Sequence, residues 1–139
     1  MSEQENIALV KRAYDNFKAG NIADILDSVT DDVDWQLPQM QGIGFSGARK
    51  GREAVAEFFA GVGGTQETLN FEPREFVAQG DKVVALGNYR WRVRSNGREY
   101  GSEWAHVFTF RDGKIAGFHE YMDSAAAVAA HGNAAVAAV

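Results

Sequence analysis

The chain has no cysteine among its 139 residues, which excludes a disulfide framework, a thiolate metal site and a cysteine nucleophile at once. Positive charge is the minority sign, with 14 Lys and Arg against 19 Asp and Glu and a net charge of −5. No basic run is clustered enough to track a phosphate backbone, so no nucleic-acid partner is expected. Arg90, Arg92, Arg94 and Arg98 make a local stripe, and alternation on a strand reads as one solvated face. Long apolar runs are missing too. None approaches the ~20 residues that a bilayer demands, and Ser2-Glu3-Gln4-Glu5-Asn6 is polar and acidic, so no membrane partner and a cytoplasmic location are expected. The three histidines, His106, His119 and His131, lack His-x-His or His-x-x-x-His spacing, and no metal is expected. Glycines between Gly42 and Gly51 are not followed by the Lys-Ser/Thr of a phosphate cradle. That segment reads as a rim or lid, and no cofactor is expected.

What is present is an apolar share of 45%, enough for one core, so residues 1–139 are read as a single domain. Ser2 and Glu5 have the capping-box spacing, and Ile7, Val10, Tyr14 and Phe17 recur on one helical face, predicting a helix over 3–19 that stops at Gly20. Asn21 is expected to cap a shorter helix carrying Ile22, Ile25, Leu26 and Val29, closed by Asp31-Asp32. Val33 to Leu37 alternates as a strand ended by Pro38, and a third helix is expected from Arg52 to about Ala60, stopped by Gly61, Gly63 and Gly64. From Leu69 the period changes from about 3.6 to about 2, giving strands near 69–78, 82–94, 99–110 and 115–122. Asn96-Gly97 and Asp112-Gly113 are hairpin turns. Helices followed by a meander predict an α+β fold. Residues 124–139 form an alanine-rich tail with Asp123 as its N-cap.

The order of these elements, with Phe17-Lys18-Ala19-Gly20-Asn21, Asp31-Asp32-Val33-Asp34-Trp35, Gly47 to Val55 and Asp112-Gly113-Lys114-Ile115, resembles the SnoaL-like polyketide cyclases and ketosteroid isomerases of the nuclear-transport-factor-like superfamily. The likeness runs from Ile7 to about Ser124. It implies a cystatin-like cone, in which a curved mixed or antiparallel sheet has three N-terminal helices over its concave face and a pocket between. It also implies homodimers. The fold alone does not choose among isomerases, cyclases, epoxide hydrolases, dehydratases and non-catalytic binding domains.

In such a cone the chemistry depends on which strand positions face inward. Burying unpaired guanidiniums would cost several kcal/mol each, roughly, so Tyr89, Trp91 and Val93 are assigned to the interior and Arg90, Arg92 and Arg94 to the exterior. Bulk assigns Trp104, His106, Phe108 and Phe110 inward on the next strand. The last strand depends on the turn. A two-residue Asp-Gly loop brings His119, Tyr121 and Asp123 in, whereas a three-residue Arg-Asp-Gly loop brings in Phe118, Glu120 and Met122. Resemblance to the isomerases and cyclases favours the second set. The expected catalytic group is therefore Glu120, His106 and Tyr14. Trp35, Leu37, Phe58, Tyr89, Trp91, Trp104, Phe108, Phe118 and Met122 are the expected substrate-binding residues. A carboxylate beside an imidazole in an apolar chamber suits removal of a proton α to a carbonyl. Cyclases of this type carry an Asp and a His at the corresponding places, and their tyrosine near the substrate oxygen resembles Tyr14.

Two family mechanisms are disfavoured. The isomerase base position, immediately before Pro38, is Leu37, and no Asp lies two residues from the arginines as an epoxide-hydrolase triad would need. Two readings stay open: a cofactor-independent cyclase or isomerase for an apolar or polycyclic ketone, and a non-catalytic domain for ligand binding or dimerisation. In the second, His106 is a core histidine with Glu120 as its partner and Tyr14 is packing. Either way the expected ligand is a small apolar or aromatic molecule.

Overall fold

The computed structural model describes residues 2–132; the end of the alanine-rich tail, 133–139, lies outside the described residues. The N-terminal helix is α1 (Glu3–Ala19), with the reciprocal Ser2–Glu5 capping box formed and Gly20 in the left-handed conformation that lets its N–H reach back to the last turn. Then come α2 (Ile22–Asp27), β1 (Val29–Gln36), β2 (Ala48–Lys50), α3 (Arg52–Thr65), β3 (Gln66–Gln79), β4 (Lys82–Val93), β5 (Glu99–Arg111), β6 (Lys114–Met122) and α4 (Ser124–His131).

Several boundaries correct the sequence reading. Val29 and the Asp31-Asp32 pair belong to β1 and not to the end of α2, because both carboxylates project to solvent, where Arg52 pairs with Asp31 and Arg111 with Asp32. Gly61, Gly63 and Gly64 do not stop α3, whose Val62, one turn after Phe58, is still buried. The Gly42–Gly51 segment contains a short strand, β2, paired antiparallel to β1. Asn21 occupies the N-cap of α2 without a side-chain cap bond, whereas Asp123 caps α4 through Ala126 N–H.

The six strands form one sheet in the order β2-β1-β6-β5-β4-β3. It is mixed, since β1 runs parallel to β6 and every other neighbour is antiparallel. Register breaks occur in β3 between Thr68 and Asn70 and between Pro73 and Glu75, and in β1 between Val29 and Asp34. Each such irregularity bends a strand, which accounts for a sheet that curves without closing. The helices lie over the concave face. Val10, Val29, Val33, Val55, Val83, Val93 and Ile115 are the largest of the fully buried side chains of the core.

The β5–β6 hairpin decides the site. Its turn is two residues long, Asp112 and Gly113 both having positive φ, with Arg111 opposite Lys114. Counting from that turn alone would have put His119 opposite His106. Instead Phe110 faces Ile115 and Thr109 faces Gly117, so Ala116 is an extra residue, and from there His106 faces Glu120. The even-numbered set is thus inward, as expected, but through a β-bulge and not through a longer loop.

Candidate active site

Tyr14 enters from the fourth turn of α1, while His106 and Glu120 stand opposite each other on β5 and β6. All three are buried. The Tyr14 hydroxyl lies 2.8 Å from His106 Nδ1, and His106 Nε2 lies 3.1 Å from Glu120 Oε2. One protonation pattern satisfies every atom of this chain with a neutral imidazole: the Tyr14 O–H donates to Nδ1, and the Nε2–H donates to the carboxylate. Burial, and after it the Glu120 charge, pushes the Tyr14 phenol well above its ordinary pKa, so it stays a donor.

The imidazole is held as firmly by packing. Trp104 stacks on it at 4.0 Å between centroids and 14° between planes, and Phe118 meets it at 4.7 Å and 60°. Trp104 can lie there because β4 carries Gly87 opposite it. A Cβ at Gly87 would come to 2.6 Å from Trp104 Cζ2 and collide with the Glu72 carbonyl.

The three residues open on a cavity of about 90 Å³. Its wall is almost wholly apolar, built by Trp35, Phe58, Trp91, Phe108, Phe118 and their neighbours. Of the expected substrate-binding residues, Trp35, Leu37, Phe58, Tyr89, Trp91, Phe108, Phe118 and Met122 line it. Trp104 does not: its indole is committed to His106, Phe71 and Tyr14. The space is also smaller than the polycyclic ligand suggested by three tryptophans would need, since an apolar cavity that takes up benzene measures roughly 150 Å³. A ring of even that size enters only as the half-buried Phe17, Phe59 and Phe71, which stand in the wall, move aside.

Tyr89 changes the distribution of roles. With the hydroxyl hydrogen of Tyr14 committed to His106, Tyr89 is the lining phenol that stands beside Glu120. Burial first and Glu120 second push its pKa up, so it too stays protonated, close to the carboxylate. Gln66 and Tyr100 also line the cavity and were not foreseen. Tyr100 is in phase with Trp104 and His106 on β5, so the alternation extended backwards would have found it. Gln66 fell in the expected turn after the third helix and gave no signal. His131 is half-buried: its Nδ1 bonds the Ala127 carbonyl and its ring meets Phe45 and Tyr100. No cluster of metal-ligating side chains occurs among the described residues, and no described helix is long and apolar enough to cross a membrane.

The profile of the SnoaL-like domain matches residues 10–118. The chain belongs to the SnoaL-like family. A nuclear-transport-factor-2-like protein from Burkholderia xenovorans LB400 shares the SnoaL-like fold at a TM-score of 0.86 and 30% identity, covering 95% of this chain and 99% of its own. TerC, solved as a co-crystal with polyporic acid, superposes at 0.79 with 30% identity over 91% of this chain and 98% of its own. A Burkholderia pseudomallei K96243 protein of unknown function gives 0.82 and 26%, over 96% and 100%. No curated protein matches the sequence.

Proposed function

We propose that this SnoaL-like chain is a cofactor-independent acid–base enzyme of the cyclase or isomerase kind, acting on a small apolar or aromatic carbonyl compound. The observation that carries this reading is the buried Tyr14–His106–Glu120 chain opening on an otherwise aromatic cavity. Glu120 accepts a proton from the carbon α to the carbonyl, and the electron pair of that C–H bond moves into the enolate. The enolate oxygen accepts a hydrogen bond from the Tyr89 phenol, whose raised pKa keeps it a donor. His106 holds the carboxylate through Nε2 and is itself held by Tyr14. Return of the proton to another carbon completes an isomerisation. Attack of the enolate carbon on a second carbonyl forms a ring, and the resulting alkoxide takes the proton back from Glu120.

Exchange of the α-protons of 2-indanone in D₂O, followed by proton NMR, tests this directly. The wild type is expected to accelerate exchange over buffer, and Glu120→Gln to lose about 10²–10⁴-fold, the usual worth of a positioned base. Exchange in Glu120→Gln equal to wild type would refute the assignment.

The rival reading is a ligand-binding domain in which the triad is a structural network. It is favoured by the small cavity and by the internal satisfaction of both histidine nitrogens. Equal binding of 2-indanone by wild type and Glu120→Gln, with no exchange of any ketone in either, would favour it. A second copy of the chain is proposed to cover the convex sheet face, where His119 stacks on the exposed Tyr121. Sedimentation as a monomer at micromolar concentration would count against that.

A further inference from the structure

Away from the Tyr14–His106–Glu120 chain the cavity wall carries another polar pair. Gln66 opens β3 directly after α3 and is 3% exposed, and Tyr100 on β5 is 6% exposed. The Tyr100 hydroxyl donates to Gln66 Oε1 at 2.6 Å. That bond uses the single hydrogen of the phenol and one side of the amide. The Gln66 Nε2 amino group, with two N–H donors, has no acceptor among the described residues. It is also not sealed by neighbouring atoms, unlike the unpartnered Nε1 of Trp104 or Oδ1 of Asn6. Gln66 is almost wholly buried and lines the cavity, so the space that its amino group meets is the cavity.

Both residues are fixed from behind. Gln66 pairs with Val93 and Tyr100 with Trp91 in the sheet, and the Tyr100 ring lies edge-on to His131 at 5.5 Å. An amino donor held this rigidly in an aromatic chamber is preorganised for one acceptor atom. The acceptor is uncharged. No Lys or Arg lines the cavity to offset a buried anion, and Glu120 already supplies a carboxylate to the same space. Tyr100 and His106 are six residues apart on β5 yet line one cavity, so they meet different parts of a single bound ligand.

We propose that the Gln66 amide, positioned by Tyr100, is a second ligand-binding subsite that accepts a neutral oxygen at the end of the substrate remote from the reacting carbonyl. The substrate class is then an apolar or aromatic ring system carrying two uncharged oxygen functions, one toward Glu120 and Tyr89 and one toward Gln66. This rests on the cavity being the substrate site, as proposed above.

Two probes of one skeleton separate the claims: 2-indanone, with one oxygen, and 5-hydroxy-2-indanone, with a second at the far end. Binding is read from quenching of the wall tryptophans, Trp35 and Trp91, and chemistry from α-proton exchange in D₂O. The wild type is expected to bind the hydroxylated ketone about tenfold more tightly, the worth of one additional buried hydrogen bond. Gln66→Met, which keeps length and burial but removes the amide, is expected to erase that preference while holding the parent ketone within about twofold of wild type, a gap too small for a lost hydrogen bond. Tyr100→Phe should weaken the preference in part, and it serves if the methionine variant melts early. An unchanged preference in both variants, or no preference in the wild type because neither probe binds or both bind equally, overturns the proposal. Failure of the acid–base reading looks different: the preference for two oxygens persists and responds to Gln66, but no exchange is accelerated.

Discussion

The two faces of the sheet are made from the same strands and obey different chemistry. On β4, Tyr89, Trp91 and Val93 are buried against the helices, while the arginines between them point outward. There Arg90 pairs with Glu99 Oε1 at 3.1 Å, and Arg92 spans Glu67 at 3.1 Å and Glu99 Oε2 at 3.2 Å. The convex face spends its polar groups on one another in water, where each pair is worth little. The concave face has few polar groups, and those it has are tied into the chain through His106, bonded as Tyr100 is to Gln66, or left facing the cavity. A polar residue on the convex face therefore says little about function, whereas one on the concave face needs a reason to be there.

The sharpest way to break the comparison is to truncate neighbours on one strand. Phe108 faces in and is 3% exposed, and Val107 faces out and is half-buried. Phe108→Ala is expected to cost about 3–5 kcal/mol by urea unfolding, through lost burial and the cavity left behind. Val107→Ala is expected to cost less than about 1 kcal/mol. Equal costs would mean that the two faces are not energetically distinct.

A smaller effect tests how tightly the inner face is fitted around His106. Gly87→Ala introduces a methyl group where the Glu72 carbonyl and the Trp104 indole already stand, and the expected destabilisation is about 1–3 kcal/mol. Because Trp104 stacks on His106, the same substitution should also shift the His106 ring signals in the NMR spectrum. A destabilised protein with unmoved His106 signals would separate the fit of β4 from the alignment of the imidazole.

The alternation that distinguishes the faces was legible in the sequence, because unpaired guanidiniums cannot be buried and Trp and Tyr can. It placed Tyr89, Trp91, His106 and Phe108 correctly, and the resemblance to cyclases supplied the choice of Glu120 over His119. The bulge at Ala116 was not legible: an alanine extra to the pairing has no distinguishing side chain, and the Asp-Gly turn alone pointed to the other register. Trp104 was misplaced as cavity wall because its direction depends on the missing side chain at Gly87, a contact across two strands. Gln66 escaped notice because α3 continues through three glycines that ordinarily end a helix, which moved the start of β3.

The smallest expected effect lies on the convex face and sharpens the contrast from that side. The Arg90 and Arg92 guanidiniums hydrogen-bond the Glu99 carboxylate and hold its pKa below the usual value. A carboxylate whose pKa is depressed by folding contributes stability above its unfolded pKa and loses that contribution as the pH falls through the folded one. Glu99 lies on the exposed face of the sheet, so the contribution is slight and fades with salt. Carboxyl-detected NMR titration should show the Glu99 midpoint rising toward the ordinary value in Arg92→Gln, and further in Arg90→Gln/Arg92→Gln. Acid unfolding of these variants should scarcely move. A Glu99 midpoint indifferent to both arginines would show that this outer network is only a neighbourhood of charges, in contrast to the directed bonds that His106 makes on the concave face.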